Sequence, residues 1–433
     1  MKNNHLQFRL EELLKKKGIG PQGSKSLNKD ELEELKVLFH HDDVSKVTKA
    51  AMLTALLTLE PTEEEKEFLS YLHLSENNLP EHLLPFIEKG EISSFQKIIN
   101  KVIRRNDLSE EESTRAMDHF FDSGIPEFQK AAFLEAERLK RESFVENKSF
   151  FSYLWKKSRR LEFQGKVLID IADSYDGSNR TRNYSLFTAA LLASAGFPVI
   201  VHGIDEVAPK FGHSSHQILK EAGKDPLLSM EKAMNCLSEK EISWCYLDQQ
   251  VFFPELYQLK SMRKEMVKRP FLATFEKLLQ PIRSVNGNYI VTGYTHAHYK
   301  DELVKQLKEQ NMCASTMVLR GMEGSTHISM NKSVTCMIYD GNKIKETAPN
   351  PADFGFPMYE EKQDKSVTAK DSYQEGLIAL EGSSNYAAAN ILYLAIVIIS
   401  NFRLMDTPSA IQLLETNLKN GKAKRHWENF INC

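Results

Sequence analysis

The sequence has few cysteines, and their spacing excludes the usual cysteine-based sites. Only five occur in 433 residues, and none belongs to a C-x-x-C pair. An odd, thinly spread set of thiols in a large chain argues against a disulfide framework and against a Cys-type zinc centre. No metal ligands can be named from the sequence.

A long hydrophobic run is also missing. The N-terminus lacks the apolar stretch of about 7–15 residues that a signal peptide carries. The most apolar segment, Tyr386 to Ile399, is interrupted by Asn390 and falls short of the roughly 20 residues that cross a bilayer. We expect a cytoplasmic protein with no membrane contact, in which this segment is a core helix.

Charge of one sign is not in excess either. Lys plus Arg number 56 against 59 Asp plus Glu, for a net charge of −3, so any anion site must come from local clustering. The length predicts two or three folding units of about 100–200 residues each.

An internal repeat occupies the first third of the chain. Leu27–Leu32 recurs as Leu108–Ser113, and Lys49–Leu53 recurs as Lys130–Leu134, at offsets of 81 residues. Each copy opens with a helix N-cap signal and continues with apolar residues at helical spacing. The pattern predicts a duplicated helical module over residues 1–90 and 91–160. Chance similarity between two amphipathic helix pairs is the alternative.

From residue 161 to 433 short apolar strands alternate with helical patterns, which predicts a mostly parallel α/β domain. A hairpin around Asp340-Gly341-Asn342 is expected at the sheet edge. The predicted parallel strands are Val167–Ile171, Pro198–Val201, Ile242–Tyr246, Tyr289–Val291 and Thr316–Leu319.

Two loops that follow the first two strands have the arrangement of a phosphate site. Residues 172–183 and 201–216 each run from a strand towards a helix start, where backbone N–H groups can hold an anion. We expect both loops to face one crevice. Ordinary solvated loops are the alternative. The cationic donors that the loops would add are Arg180, Arg182, His202, Lys210 and His213.

Several segments are similar to anthranilate phosphoribosyltransferase and its relatives in glycosyltransferase family 3. They are Tyr175–Gly177, Asn183–Ser185, Ala190–Gly203 and Lys210–Ser214, followed by Val318–Gly324, Pro351–Gly355 and Asn420–Ala423. The likeness covers about residues 93 to 430 and leaves the copy at 1–90 outside.

The resemblance implies the anthranilate phosphoribosyltransferase and nucleoside phosphorylase type III fold. In this family the helical bundle forms a homodimer, although the extra copy could cover that interface. The ligand and phosphate contacts that the resemblance implies are Asp176, Gly177, Arg180, Arg182, Asn183, Ser185, His202, Gly203, Lys210, His213, Ser214 and Arg263.

The sequence departs from the family at the pyrophosphate loop and at the metal pair. Ala172–Asp176 replaces a Gly-Thr-Gly-Gly-Asp loop, so Tyr175 adds bulk and Asp173 adds negative charge. The Asp-Glu magnesium ligands of the family fall at Thr326 and His327, which do not suit this ion. Catalytic residues therefore cannot be named, and magnesium is expected only if the chain is an active transferase.

These departures resemble a divergent branch, the anthranilate phosphoribosyltransferase-like proteins, which is associated with nucleic-acid binding. Between Lys260 and Arg283 there are seven cations and two acids, and Lys260, Lys264 and Lys268 would share one helix face. A solvated charged helix is the alternative. The expected nucleic-acid contacts are Lys260, Lys264, Lys268, Arg269, Lys277, Lys424 and Arg425.

Two functions are therefore open. The first is a protein that binds nucleic acid or another phosphate-containing ligand on a transferase scaffold, with catalysis lost. The second is an active pentosyltransferase that moves a phosphoribosyl or ribosyl group to an unknown acceptor. We favour the first, because the family's chemistry depends on positioning and charge stabilisation, and the residues that provide both are altered.

Overall fold

The computed structural model describes residues 4–20, 23–295, 297–309, 313–360 and 366–433. The chain divides into two compact units. The first comprises Met1–Lys157 and Gln258–Phe275, and the second comprises Ser158–Tyr257 and Glu276–Cys433.

The described elements, in chain order, are as follows. The helices are α1 (Asn4–Lys17), α2 (Lys29–His40), α3 (Lys46–Thr58), α4 (Glu63–Leu74), α5 (Ser94–Ile103), α6 (Glu110–Phe121), α7 (Glu127–Lys140), α8 (Phe144–Lys157), α9 (Ser185–Ser194), α10 (Ser215–Glu221), α11 (Met230–Ser238), α12 (Gln249–Phe252), α13 (Pro254–Tyr257), α14 (Lys260–Glu265), α15 (Leu272–Phe275), α16 (Ala297–Glu309), α17 (Ala369–Leu380), α18 (Tyr386–Asn401), α19 (Thr407–Lys419) and α20 (Lys422–Asn432). The strands are β1 (Leu161–Phe163), β2 (Leu168–Ala172), β3 (Val199–Gly203), β4 (Trp244–Asp248), β5 (Ile282–Ser284), β6 (Asn288–Gly293), β7 (Ser315–Leu319), β8 (Cys336–Tyr339) and β9 (Ile344–Thr347).

The first unit contains the repeat, which is visible down to single hydrogen bonds. Helices α2 and α6 begin and end 81 residues apart. Leu27 N–H donates to Glu65 Oε1 (3.1 Å), and at the same offset Leu108 N–H donates to Glu146 Oε1 (2.8 Å). The two copies pack on each other through equivalent helices, α3 and α7.

Residues 258–275 belong to this helical unit, whereas the sequence pattern predicts them in the α/β domain. The reason is packing: α14 contacts α3 and α7, and the ring of Phe271 stacks on Phe150 with centroids 4.7 Å apart.

The second unit is built on a seven-stranded sheet of order β4-β3-β2-β6-β7-β8-β9. The first five strands in this order pair in parallel, and β8 and β9 form an antiparallel hairpin at the edge. The sequence prediction of a mostly parallel sheet with an edge hairpin is confirmed. A separate two-stranded parallel sheet of β1 and β5 was not predicted, because three-residue strands carry too little pattern to detect.

Helices cover the sheet. Helices α9 and α18 are buried almost all round. The burial of α18 confirms the core helix that the sequence predicts at Tyr386–Ile399. Within the described residues, no helix has the length and apolar character needed to cross a membrane. The expected homodimer and cytoplasmic location stay predictions.

Candidate functional site

The loops that follow β2 and β3 meet at the carboxyl ends of these neighbouring strands. Ser178 N–H donates to His213 O and His213 N–H donates to Ser178 O, both at 2.9 Å, and Gly212 N–H donates to Asp176 O at 2.9 Å. The structure therefore joins the two loops by their backbones.

Two glycines permit this contact. Gly177 has a φ of +74°, and a Cβ atom there would lie 2.1 Å from Gly212 O. A Cβ atom on Gly212 would lie 2.4 Å from Ser178 N. In this chain the glycines allow one loop to approach the other.

The carboxylate of Asp173 organises the base of the first loop. It is buried and accepts hydrogen bonds from Ser174 N–H (3.0 Å), from the Asn183 side-chain amide (2.8 Å) and from Ser215 N–H (2.9 Å). The Cβ of Asp173 also lies 3.2 Å from the position a Cβ on Gly203 would take. Through these hydrogen bonds, Asp173 connects the first loop to the N-terminus of α10.

Tyr175 fills the interior of the site. Its side chain is 2% exposed and packs against Ile204 and Val207, with Tyr257 beside them. Its hydroxyl shares a hydrogen bond of 2.7 Å with Nδ1 of His202. Burial, and then the charges of nearby carboxylates, raise the pKa of Tyr175 well above its ordinary value, so the phenol stays neutral.

The side chains of His202 and His213 contact other residues of the second unit. Nε2 of His202 lies 3.0 Å from Asp170 Oδ1, but the two atoms do not form a hydrogen bond. Nε2 of His213 shares a hydrogen bond of 2.8 Å with the Ser372 hydroxyl, and burial lowers the pKa of His213. At neutral pH His213 is therefore an uncharged group.

The Glu323 carboxylate occupies the anion-binding backbone of the first loop. Asn179 N–H and Arg180 N–H donate to its Oε2 at 2.9 and 3.1 Å, and the Thr181 hydroxyl donates to the same oxygen at 3.2 Å. Consecutive N–H groups of this kind form a nest that binds anions. Here the anion is a side chain of the same unit.

Cations around the nest pair with carboxylates. Glu323 Oε1 lies 3.3 Å from Nε of Arg180 and 3.5 Å from Nζ of Lys210, which also donates to Gly177 O. Burial alone would raise the pKa of Glu323, but the charge of Lys210 and the two backbone N–H groups bring it below the ordinary value. Glu323 is therefore ionised and compensates these cations.

Arg182 has a carboxylate partner of its own. Its Nη2 donates to Glu375 Oε1 at 2.9 Å, and the Tyr184 hydroxyl donates to Glu375 Oε2 at 2.7 Å. A cavity of about 330 Å³ lies beside this pair, and its lining includes His327 and Tyr386. It can take a small molecule.

Thr326 and His327 form hydrogen bonds inside the unit. The hydroxyl of Thr326 shares a hydrogen bond of 3.0 Å with Ser185. Nδ1 of His327 donates to Arg182 O (2.7 Å), and its Nε2 shares a hydrogen bond of 3.0 Å with the Tyr386 hydroxyl. Ser214, the last predicted contact of this unit, caps α10 and donates its hydroxyl to Asp205 O (2.7 Å).

The cations predicted on one helix face do not share a helix. Helix α14 ends at Glu265, and Val267 has a φ of +50°, so Lys268 lies beyond the helix that carries Lys260 and Lys264. That prediction is wrong because the left-handed residue redirects the chain. Lys268 donates to Lys15 O at 2.9 Å.

Other predicted cations have different surroundings. Arg263 is on α14 and buried, whereas Arg269 is exposed. Lys277 donates to Gly293 O (3.0 Å) and Gly324 O (3.2 Å), which ties it to the backbone of the second unit. In α20, Lys424 pairs with Glu381 (3.0 Å), and Arg425 donates to Asn420 O (3.2 Å).

The sequence did not reveal the roles of Glu323, Glu375 and Ser372. Glu323 has one signal, its place between Gly321 and Gly324 in a tight turn, where it takes a φ of +54°. Glu375 and Ser372 are on α17, and nothing in the local pattern relates them to loops some 190 residues away.

Comparison with known proteins gives matches over most of the chain. Residues 169–424 match the α/β domain of the glycosyl transferase family, and residues 96–151 match its helical bundle domain. Anthranilate phosphoribosyltransferase from Methanobrevibacter smithii is 27% identical over 343 residues, which cover 78% of this chain and 98% of that protein.

Solved structures share the fold. Anthranilate phosphoribosyltransferase from Thermus thermophilus superposes with a TM-score of 0.62 at 17% identity, over 77% of this chain and 98% of that one. The Saccharomyces cerevisiae enzyme in complex with PRPP and Mg gives a TM-score of 0.65 at 18% identity, over 78% and 97%.

Helices α1 to α4 precede both family matches. The α/β domain match covers more than half of the chain, and the helical bundle match precedes it. This chain therefore belongs to the glycosyl transferase family that these two domains define.

Proposed function

We propose that this chain has lost magnesium-dependent transfer from phosphoribosyl pyrophosphate (PRPP) and binds nucleic acid or a similar polyanion through its helical unit. The loss rests above all on one observation, the Glu323 carboxylate bound to the N–H groups of Asn179 and Arg180. A phosphate group at this nest would have to displace an ionised carboxylate. Hydrogen bonds to charged groups contribute about 1.5–3 kcal/mol each, so the displacement is costly.

Tyr175 supports the same conclusion. It stands where the resemblance places a glycine of the pyrophosphate loop, and its buried ring and hydroxyl bond to His202 occupy that space. A glycine loop lets the backbone approach a ligand closely, and a packed tyrosine removes that approach.

The residues present do not fit magnesium. Mg²⁺ takes oxygen ligands, mainly carboxylates and water, in octahedral geometry. Thr326 and His327 stand at the positions of the family's carboxylates, and both form hydrogen bonds within the unit. Across the described ranges, no three His, Cys, Asp or Glu side chains gather as metal ligands would.

The polyanion proposal rests on the first unit, because the cations around the Glu323 nest are compensated. A groove of about 420 Å³ there is lined by Lys148, Lys156 and Lys157, with Tyr153 beside them and Glu110 as the acidic residue of the lining. All three lysines are exposed. Lys157 also lies over the ring of Phe121, with Nζ 5.3 Å from its centroid. Such a groove can neutralise backbone phosphates.

The experiment measures binding of a labelled single-stranded oligonucleotide at several salt concentrations. We expect Lys148→Gln and Lys156→Gln each to weaken binding to all sequences and to reduce the slope of log K against log salt by roughly 0.7, the value for one phosphate contact on a single strand. Lys419→Gln, at an exposed lysine of α19, is the control and leaves the slope unchanged. Absent or salt-insensitive binding would overturn the polyanion proposal.

The loss of transfer has its own test. The protein is incubated with PRPP, magnesium and anthranilate, and product is measured by fluorescence. We expect no turnover above background. Turnover that Glu323→Gln does not change would show that the carboxylate is not an obstacle.

The cavity beside Arg182 favours a second candidate, pentosyl transfer on a small molecule. Its volume of about 330 Å³ and its lining of His327 and Tyr386 suit a small, partly aromatic ligand. Incubation with a nucleoside and orthophosphate without metal, followed by chromatography, tests it. Release of free base above the rate of a Tyr386→Ala variant would favour this candidate.

A further inference from the structure

A second polar recess lies at the end of the sheet opposite to the Glu323 nest. Its volume is about 400 Å³, and it lies beside the amino-terminal ends of β6 and β7, next to the small β1 and β5 sheet. The lining residues that matter are Arg160, Glu162, Arg283, Ser284, Asn286 and Asn288.

The strand pairing places three charged groups together. Glu162 is in register with Arg283 on the neighbouring parallel strand, and Arg160 lies two residues before Glu162. Neighbours in register project to the same side of a sheet. The recess therefore has two arginines against one glutamate, and carries an excess of positive charge.

Gln280 fixes both guanidinium groups. Nε of Arg160 donates to Gln280 O (3.2 Å), and Nε of Arg283 donates to Gln280 Oε1 (3.2 Å). Arg160 is further anchored by Nη2, which donates to the Ser158 hydroxyl (2.8 Å) and to Leu279 O (3.2 Å). Guanidinium groups held in this way lose little entropy when they bind a ligand.

The backbone of Gln280 adds an independent observation. Its φ is +44°, in the left-handed region that favours glycine. A side chain at such a position costs about 1–2 kcal/mol, and here that side chain orients Arg283. Strain of this kind points to a role for the group that it positions.

The positive charges of Arg160 and Arg283 also repel each other. Burial, and then the charge of Arg283, lower the pKa of Arg160 to about 10. Burial also lowers the pKa of Arg283, against the opposite effect of Glu162. An anion bound between them would relieve both effects.

Ser284, Asn286 and Asn288 shape the wall of the recess. The Ser284 hydroxyl donates to Gly165 O (2.6 Å) and accepts from Asn286 N–H (3.1 Å), and the Asn288 amide donates to Ser284 O (2.8 Å). These bonds hold the loop before β6 in place. Recognition of a ligand therefore falls to the arginines.

We propose that this recess binds the phosphate group of a small phosphate ester, with Arg160 and Arg283 as its ligands and Gln280 as the residue that positions them. Arginine forks match the oxygens of phosphate in geometry and charge. The volume of the recess exceeds what a phosphate group needs, which leaves room for the esterified part. The proposal is independent of the polyanion groove, which lies in the other unit.

Isothermal titration calorimetry of the full chain tests the proposal, with ribose 5-phosphate, orthophosphate and ribose as probes. We expect both phosphate compounds to bind and ribose not to bind. Tighter binding of ribose 5-phosphate identifies an ester as the ligand, and equal binding identifies free phosphate. Failure of both phosphate compounds to bind overturns the proposal.

Variants locate the site. Arg160→Gln and Arg283→Gln should each weaken phosphate binding about tenfold or more, as expected for the loss of a charge-assisted hydrogen bond, and Glu162→Gln should strengthen it. Arg403→Gln, at an exposed arginine of the same unit, is the control. Unchanged affinity in Arg283→Gln would place the ligand elsewhere.

The variant Gln280→Gly separates a loss of phosphate binding from a loss of folding. Glycine relieves the left-handed strain, which offsets part of the cost of removing the hydrogen bond between Arg283 Nε and Gln280 Oε1, so we expect this variant to fold. Weaker phosphate binding by a stable Gln280→Gly protein supports the positioning role. Unchanged binding would overturn that role.

Discussion

The hydroxyl of Tyr175 lies 2.7 Å from Nδ1 of His202, and both side chains are buried. This bond connects the first loop of the candidate site to the end of β3. The interior of the site is thus filled by the chain's own side chains. The contribution of the hydrogen bond between Tyr175 and His202 to stability can be measured.

Tyr175→Phe should lower the free energy of unfolding by about 1–3 kcal/mol, because it leaves a buried nitrogen of His202 without this partner. Chemical denaturation measures the change. Tyr393→Phe is the matched control, since the buried Tyr393 hydroxyl has no hydrogen-bond partner among the described residues, and we expect it to be neutral or stabilising. Equal losses in both variants would contradict the assigned bond.

Gly177→Ala should be far more damaging than Gly196→Ala. Both glycines have a positive φ, but a Cβ at Gly177 would meet Gly212 O at 2.1 Å, whereas a Cβ at Gly196 meets nothing within 4 Å. We expect a loss of about 1–2 kcal/mol at Gly196 from the left-handed backbone alone. At Gly177 the clash should bring the loss to about 3 kcal/mol or more. Thermal denaturation of the two variants gives the comparison.

Glu323→Gln should destabilise the protein at neutral pH by about 1–3 kcal/mol. The folded pKa of Glu323 is lowered, so its contribution is fully present above the unfolded carboxyl value and is lost as pH falls through the folded one. The difference between wild type and variant should therefore shrink below about pH 4. Glu415→Gln, which breaks an exposed pair with Lys419, should cost about 1 kcal/mol or less. A difference at Glu323 that does not change with pH would contradict its ionised role.

Lys268 should react with acylating reagents at lower pH than Lys424. Burial, and then the charges of Arg138 and Lys15, lower the pKa of Lys268 to about 8. A hydrogen bond to Glu381 raises the pKa of Lys424. Mass spectrometry of acetylated protein across a pH series gives the midpoint for each lysine. Coincident midpoints would show that Lys268 is not buried among cations.

The same shift bears on recognition. At a pH near 8 Lys268 carries its charge only about half of the time. We therefore expect Lys268 to contribute less to the proposed polyanion binding than the exposed Lys148, Lys156 and Lys157, although all of them belong to the first unit.

The sequence predicted most of the fold. Five parallel strands, the edge hairpin and the core helix at Tyr386–Ile399 follow from apolar patterns and turn residues, which are local signals. The repeat was also visible, because its N-cap residues and buried helices recur at one offset.

The site was predicted less completely, since its chemistry depends on distant partners. The loop residues from Asp176 to Ser214 do come together, but the pairing of Arg180 and Lys210 with Glu323 requires the fold. The prediction that Lys260, Lys264 and Lys268 share one helix face is wrong, because sequence periodicity does not detect the left-handed residue Val267 between Lys264 and Lys268.

The packing of α3 on α7 has a consequence for how this chain can change over time. In a symmetric pair of subunits, one substitution at the interface changes both sides at once. Here the two helices are encoded separately, so one of them can acquire a new residue while the other keeps the old one. The duplication thus allows the two sides of this interface to diverge in sequence.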